Sequence, residues 1–176
     1  MRLYSDLVRQ LGRTRAFAWL ASRVLPPIDA RFRGHPLTTL GTDFPLCYLT
    51  VRGRKSGELR TVPLLHVRDG ERVVLIGSNW GQRKDPAWAL NLDAAREAAV
   101  EILGEGTRAM TSRRATAEEV ERYWADALEF WPGYEGYRRR AGREIRLFVL
   151  DPRPMGDRQG GRVGGRPVGE GRRKAR

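Results

Sequence analysis

The chain has 176 residues, of which 40% are hydrophobic, with one cysteine, two histidines and a formal net charge of +12. Cys47 alone excludes an intrachain disulfide, and with only His35 and His66 beside it no cysteine/histidine structural zinc site can form. No apolar run approaches the roughly 20 residues of a membrane span, and the length suits one domain.

The charge is unevenly placed. Residues Met1–Gly34 carry +5 and Arg153–Arg176 carry +6, while the body, His35–Pro152, carries only +1. Specific nucleic-acid recognition, which wants a basic face on the folded body, is therefore not expected. Three regions follow: a helical amphipathic segment over 1–34, a folded domain over 35–152 and a basic Gly/Arg-rich tail over 153–176, expected to be disordered for want of apolar residues.

In the first segment Leu3, Leu7, Val8 and Leu11, then Phe17, Leu20 and Val24, recur at helical spacing until Pro26-Pro27 ends the pattern. Its arginines form either a solvated face or a surface for an anionic membrane, with Phe17 and Trp19 as anchors. Without a clear signal-peptide cleavage site, the expected location is the cytoplasm, with peripheral attachment to the inner face of the membrane as an open addition.

The domain reads as strands over 46–51, 60–68 and 72–77, a short helix over 86–96, strands over 98–103 and 107–113, a helix opened by the capping box Thr116-Ala117-Glu118-Glu119, a basic segment over 134–143, and a strand over 145–150. Asp69-Gly70 marks a hairpin. Few connections are long enough for parallel crossovers. The expected fold is α+β: a mainly antiparallel split or closed β-barrel with helices outside.

Gly53-Arg54-Lys55-Ser56-Gly57 followed by Arg60 puts three cations and a hydroxyl around a glycine-flanked turn. Glycines let backbone N–H groups converge on an anion, and the cations suit a phosphate or several carboxylates. Taken alone, the motif also fits a charged hairpin turn. Ser78-Asn79 ends an apolar strand, where a barrel presents short polar groups to a ligand. Trp88 and Asn91 share one helix face, where they could cover a flat ring or serve as core and cap. Trp131, Tyr134 and Tyr137 flank Pro132-Gly133 and could line a pocket or simply pack. His66 reads as a core or lining residue, there is no Gly-x-Ser-x-Gly elbow, and no metal is expected.

Taken together and in order, Gly-Arg-Lys-Ser-Gly, Arg-Thr-Val-Pro-Leu, Ser-Asn, Pro-Ala-Trp, Asn-Leu, Trp-Pro-Gly-Tyr-x-x-Tyr and Arg-Glu-Ile make the chain from about Arg15 to Pro152 resemble the deazaflavin-dependent nitroreductase family. The resemblance implies an FMN-binding split-barrel-like fold and coenzyme F420. It also implies hydride transfer from the reduced deazaflavin to a small-molecule acceptor such as a quinone, a nitro compound or an activated double bond. By position, Arg54, Lys55, Ser56 and Arg60 would hold the coenzyme's phosphate and oligoglutamate tail. Val62 and Pro63 would support its chain, and Ile76, Gly77, Ser78 and Asn79 would line its ring. Ala87, Trp88 and Asn91 would close over it, and Trp131, Tyr134 and Tyr137 would form the substrate side. Ser78 and Tyr134 are the candidates for polarising the acceptor.

His66, Trp80 and Asp93-Ala94-Ala95-Arg96 depart from the family pattern, the first two bearing on substrate identity. The alternatives are a flavin phosphate-dependent oxidoreductase on a similar barrel, a non-catalytic protein that binds the coenzyme or another ligand, and loose nucleic-acid adhesion by the basic ends.

Overall fold

The computed structural model describes residues 44–153. The amphipathic segment read over 1–34 and, after Arg153, the basic tail lie outside the described residues. Six strands form a closed barrel: β1 (Leu46–Arg52), β2 (Leu59–Asp69), β3 (Arg72–Ile76), β4 (Glu97–Ile102), β5 (Gly106–Arg114) and β6 (Leu147–Pro152). Their order around the barrel is β1-β2-β3-β6-β5-β4, with every neighbouring pair antiparallel. Three helices accompany them: α1 (Ala87–Ala95), α2 (Ala117–Phe130) and α3 (Gly133–Ala141). The expected barrel with outer helices is what the chain adopts.

Alternation along the strands builds two apolar layers. On β3 and β6, Val73, Leu75, Phe148 and Leu150 face the barrel interior, where they meet Cys47, Leu49, Val51, Val100 and Met110. The intervening Val74, Ile76, Leu147 and Val149 face outward and are covered by Tyr123, Trp124 and Ala127 of α2 and by Tyr134, Tyr137 and Ala141 of α3. Helix α1 closes the interior with Trp88, Ala89 and Leu92. His66 pairs with Leu75 and so shares its inward face. Burial first, then the neighbouring Arg68, holds its imidazole below the ordinary histidine pKa. Burial likewise pushes the Cys47 thiol up to about 12, which leaves it an inert apolar filler of the interior.

The hairpin after β2 closes on the pair Asp69–Arg72, with Gly70 and Glu71 as the loop. Gly70 has φ +60°, a conformation open to glycine at little expense. The segment over 134–143, read from the sequence only as basic and short, is helical through Ala141 as part of α3, which begins at Gly133. Pro132-Gly133 breaks the chain between α2 and α3 but serves as the start of the second helix. Tyr134, Tyr137 and Ala141 then recur at helical spacing. Arg138, Arg139 and Arg140 lie in the last turn, where the helix dipole favours cations, and Gly142 ends it at φ +58°.

The capping box of α2 forms as expected. Thr116 Oγ1 accepts from the Glu119 N–H at 3.3 Å, and Glu119 Oε2 accepts from the Thr116 N–H at 2.8 Å. The same carboxylate takes both guanidinium nitrogens of Arg113, at 2.7 and 2.6 Å. Arg113 first, with the Thr116 N–H after it, holds the Glu119 carboxyl at about 2, below its ordinary 4.5. A depressed folded-state value means stability present above the unfolded value and lost as pH falls. The expected result is a loss of thermal stability between about pH 4.5 and about pH 2 in the wild type, and a flatter profile in Glu119→Gln.

Candidate functional site

The site begins where the barrel wall parts. β1 and β2 pair over seven residues, Leu46–Arg52 with Leu59–Leu65, but β2 and β3 pair only over His66–Asp69. On its β3 side, the Leu59–Leu65 half of β2 thus has no partner among the described strands. Pro63, which has no N–H to give a ladder, sits in this half, where such a residue is tolerated. Beyond Ile76 the chain leaves β3 into Gly77 and Ser78 instead of continuing alongside β2. The parted seam has two lips: β2 with its preceding turn, and the segment after β3.

The first lip carries the cations. Gly53 N–H donates to Glu58 O and Gly57 N–H donates to Gly53 O, both at 2.8 Å. A Cβ on Gly53 would stand 2.9 Å from Ser56 Oγ and 3.2 Å from Glu58 O, so the turn packs closely over this glycine. Arg52 adds a guanidinium bond to Gly57 O at 2.6 Å. On this tight frame Lys55 has no hydrogen bond or ion pair among the described residues. Arg60 is 59% exposed and, among the described residues, pairs only with Glu58, at 3.1 Å. Its Nε lies 3.5 Å from the Cβ position of Gly53, so it folds back along the turn. Four cations, Arg52, Arg54, Lys55 and Arg60, stand here against one carboxylate, Glu58.

The second lip carries unusual backbone. Asn79, Trp80 and Gly81 all have positive φ, at +46°, +57° and +76°. Two consecutive non-glycine residues in this region are strained, and such strain concentrates at functional turns. Asn79 Nδ2 donates to Lys84 O at 2.8 Å. Gly81 lies against α3, where an added Cβ would stand 2.8 Å from Tyr137 Cα. The Trp80 ring meets Tyr137 edge-on with centroids 6.0 Å apart.

Helix α1 joins the lips. A Cβ on Gly77 would stand 3.6 Å from Ala89 Cβ, so one end of the helix is seated beside the second lip. Two residues on, Asn91 Oδ1 accepts from both the Arg54 N–H at 3.2 Å and the Arg54 guanidinium at 3.1 Å, tying the helix to the first. Asn91 is 5% exposed, and its amide oxygen is spent on this latch. Asn91→Ala is expected to lower stability by about 1–2 kcal/mol and to loosen the turn, as read by amide exchange at residues 53–58. Trp88 turns into the barrel interior and meets Phe148 at 5.9 Å, while Ala87 is exposed at the helix start. Val62 lies half-buried on the interior side of the first lip, with Pro63 beside it.

The aromatic segment forms a layer beneath Trp80. Trp131 Nε1 donates to the Tyr137 hydroxyl at 3.2 Å, and Tyr134 sits among Trp124, Phe130 and Tyr137 with centroids 5.8 to 6.4 Å apart. Burial raises both tyrosines, Tyr137 to about 12, so both hydroxyls keep their protons at neutral pH. The Tyr134 hydroxyl has no hydrogen-bond partner among the described residues.

One group of side chains escaped sequence reasoning. Arg143 Nη1 stands 2.8 Å from Asp85 Oδ1, in an ion pair whose atoms are not aligned as a hydrogen bond. Arg146 bridges Asp85 at 3.2 Å and Asp93 at 3.1 Å, and Arg114 grips Asp93 with two nitrogens. Arg114 is the chief reason the Asp93 carboxyl titrates below its ordinary range. Asp85 before Pro86 and Arg143-Glu144-Ile145-Arg146 were both visible in the sequence. Nothing in their spacing says that a segment sixty residues later folds back onto the turn.

The F420H(2)-dependent quinone reductase family matches residues 22–152. The chain belongs to this family. Membership carries the oxidoreductase class and reduced coenzyme F420, the cofactor expected from the sequence, in preference to a flavin phosphate. The Mycobacterium tuberculosis relative Rv3178 is 28% identical over 109 residues, spanning 62% of this chain and 91% of its own. The F420H(2)-dependent quinone reductase Rv1261c of the same organism is 26% identical over 117 residues, spanning 62% of this chain and 74% of its own. A solved F420-H2-dependent reductase, FDR-A, superposes with a TM-score of 0.56 and 31% identity, over 61% of this chain and 94% of that one. Another solved structure, described as a domain-swapped dimer, gives 0.57 and 28%, over 71% and 93%. The reductase family's name specifies a quinone, so the resemblance holds at the level of deazaflavin-dependent reduction.

The residues present fit such a coenzyme. A polyanionic tail needs exposed cations on an ordered turn: Lys55 has no partner among the described residues, and Arg60 is held there only by the exposed Glu58, a pair that an incoming anion can displace. Among the described residues no helix is long and apolar enough to cross a membrane.

Proposed function

We propose that the parted seam is the coenzyme site of an F420-dependent quinone reductase, with the first lip holding the tail and the second the ring. Support comes from one observation above all: helix α1 ties the cation-bearing turn to the strained Asn79–Gly81 turn, through Asn91–Arg54 at one point and Ala89–Gly77 at another. Lys55, Arg60 and Ser56 bind the anionic tail, and Arg54, latched to the neutral Asn91 amide, adds its charge. Val62 and Pro63 flank the chain between, and Gly77, Ser78 and Asn79 bound the ring, with Ile76 packed behind them in the outer layer and Ala87 exposed at the start of α1. Trp88 supports this from the interior by seating α1.

When bound, the reduced deazaflavin supplies the hydride. The chain's part is to orient and to stabilise charge. Ser78, and Tyr134 held protonated by burial, are the donors proposed for the oxygen on which negative charge develops. Trp131, Tyr134 and Tyr137 form the acceptor side, narrowed by Trp80. Nitro compounds and activated double bonds are further acceptors to be compared with quinones. Association with an anionic membrane surface through the N-terminal arginines stays part of the proposal for where the reductase meets apolar quinones.

The test is stopped-flow oxidation of reduced F420 by menadione, a nitroaromatic and an unsaturated ketone, in wild type and Ser78→Ala. A quinone turned over fastest, with a slower Ser78→Ala rate at saturating coenzyme, is expected. Tight coenzyme binding without oxidation by any acceptor would favour the non-catalytic binding protein instead.

A further inference from the structure

Arg143 is a part-buried cation on the connection between α3 and β6, its side chain 14% exposed. It spends its guanidinium on the backbone of the second lip. Nη2 donates to Gly77 O at 3.0 Å, and to Ser78 O and Lys84 O at 3.4 Å each; Nε donates to Gln82 O at 3.3 Å. Nη1 donates to Glu144 O at 2.9 Å and faces Asp85. Four carbonyls of one turn thus converge on a single planar group. Asp85 neutralises that group and is itself fixed by Arg146, which is anchored through Asp93 to Arg114.

This arrangement explains how the turn keeps a strained shape. Asn79 and Trp80 sit at positive φ without glycine's freedom, so something outside the turn must hold them. Within the turn there are few bonds to do so: Ser78 N–H to Ile76 O, Gly81 N–H to Ser78 O, Gln82 N–H to Asn79 O and the Asn79 amide to Lys84 O. A lysine could supply charge at this place but not the fork of donors that reaches carbonyls on both sides of the turn. None of these contacts touches the cation-bearing turn at Gly53–Glu58.

We propose that Arg143, held by Asp85, is a positioning residue for hydride transfer: it sets the Gly77–Lys84 turn against which the ring rests, without binding the tail. This rests on the reading of Gly77–Asn79 as the ring lining. Misplacing a reacting group by about 1 Å lowers rates by about 100-fold, so loss of the guanidinium should act on the transfer step and not on affinity.

The experiment uses the full chain as Arg143→Gln, Arg143→Lys and Asp85→Asn. Amide exchange over residues 77–85 is measured without coenzyme. Affinity for reduced F420 is measured by fluorescence, and the oxidation rate by menadione at saturating coenzyme. For Arg143→Gln the expected results are faster exchange in the turn, a saturated rate lower by about 30- to 100-fold, and an affinity changed by less than about threefold. Arg143→Lys should resemble Arg143→Gln, because fork geometry and not charge is decisive. Asp85→Asn should shift both readouts the same way by less, and it serves if the Arg143 variants do not fold. Unchanged exchange, or an unchanged saturated rate with faster exchange, overturns the positioning role. The ring-site reading is tested apart from it. If Ser78→Ala changes neither affinity nor rate while Arg143→Gln still speeds exchange, the ring lies elsewhere and the turn's function must be reassigned.

Discussion

Replacing Lys55 and Arg60 together by alanine is expected to weaken binding of reduced coenzyme F420 about 100-fold while leaving the fold intact. Each charge-assisted hydrogen bond to a phosphate or carboxylate contributes about 1.5–3 kcal/mol, and 1.4 kcal/mol is tenfold in affinity. Two such contacts, discounted for solvent exposure, correspond to about 3 kcal/mol. The folded state loses little. Among the described residues Lys55 has no partner and Arg60 has only the exposed Glu58. The thermal midpoint should therefore move by no more than about 2 °C. Arg54→Ala is not equivalent, because Arg54 also ties the turn to Asn91. Fluorescence titration at two ionic strengths separates the electrostatic part, since raising salt should narrow the gap between wild type and the double variant.

Gly81→Ala should be the most destabilising single methyl in the functional turn. Gly81 has φ +76°, and its Cβ position lies 2.8 Å from Tyr137 Cα and 3.1 Å from Tyr137 O. Forcing alanine into left-handed backbone disfavours the fold by about 1–2 kcal/mol, and overpacking against backbone adds about 1–3. A total near 3 kcal/mol lowers the midpoint by about 6–12 °C in a chain of this length. Gly142→Ala is the internal comparison. Its φ is +58° but nothing lies within 4 Å of its Cβ, so only the backbone part, about 1 kcal/mol, applies. Calorimetry of the two variants separates conformation from contact. Equal midpoints would mean that α3 gives way beneath Gly81 without penalty.

The barrel was legible because its strands are short β-prone runs bounded by turn residues. Val73-Val74-Leu75-Ile76 and Leu147-Phe148-Val149-Leu150 feed two layers at once, so they read as plain apolar runs bounded by turn residues. The capping box at Thr116 announced α2 by purely local chemistry. Helix α3 was hidden because Pro132-Gly133 looks like a stop, and only the spacing of Tyr134, Tyr137 and Ala141 betrays it. In the site, Arg54, Lys55 and Arg60 could be picked out since the turn that displays them is contiguous. Trp88 and Asn91 could be placed on one face of a helix, but not assigned to the interior and to the Arg54 latch. Those roles depend on where the helix docks. Arg143, Arg146, Asp93 and Arg114 act across 21 to 66 residues of sequence. No local pattern marks such long-range ion pairs, because charged residues at these spacings usually face water.

The central claim is that one seam, bounded by the cationic turn and the Ser78 turn, binds the reduced coenzyme and presents it to a quinone. Single-turnover oxidation of reduced F420 by menadione, followed by the return of deazaflavin absorbance over a range of protein concentrations, measures binding and transfer in one experiment. The account predicts that Lys55→Ala/Arg60→Ala raises the half-saturating concentration about 100-fold with little change in the limiting rate, and that Ser78→Ala lowers the limiting rate at nearly unchanged half-saturation. Wild-type behaviour in both variants would contradict it.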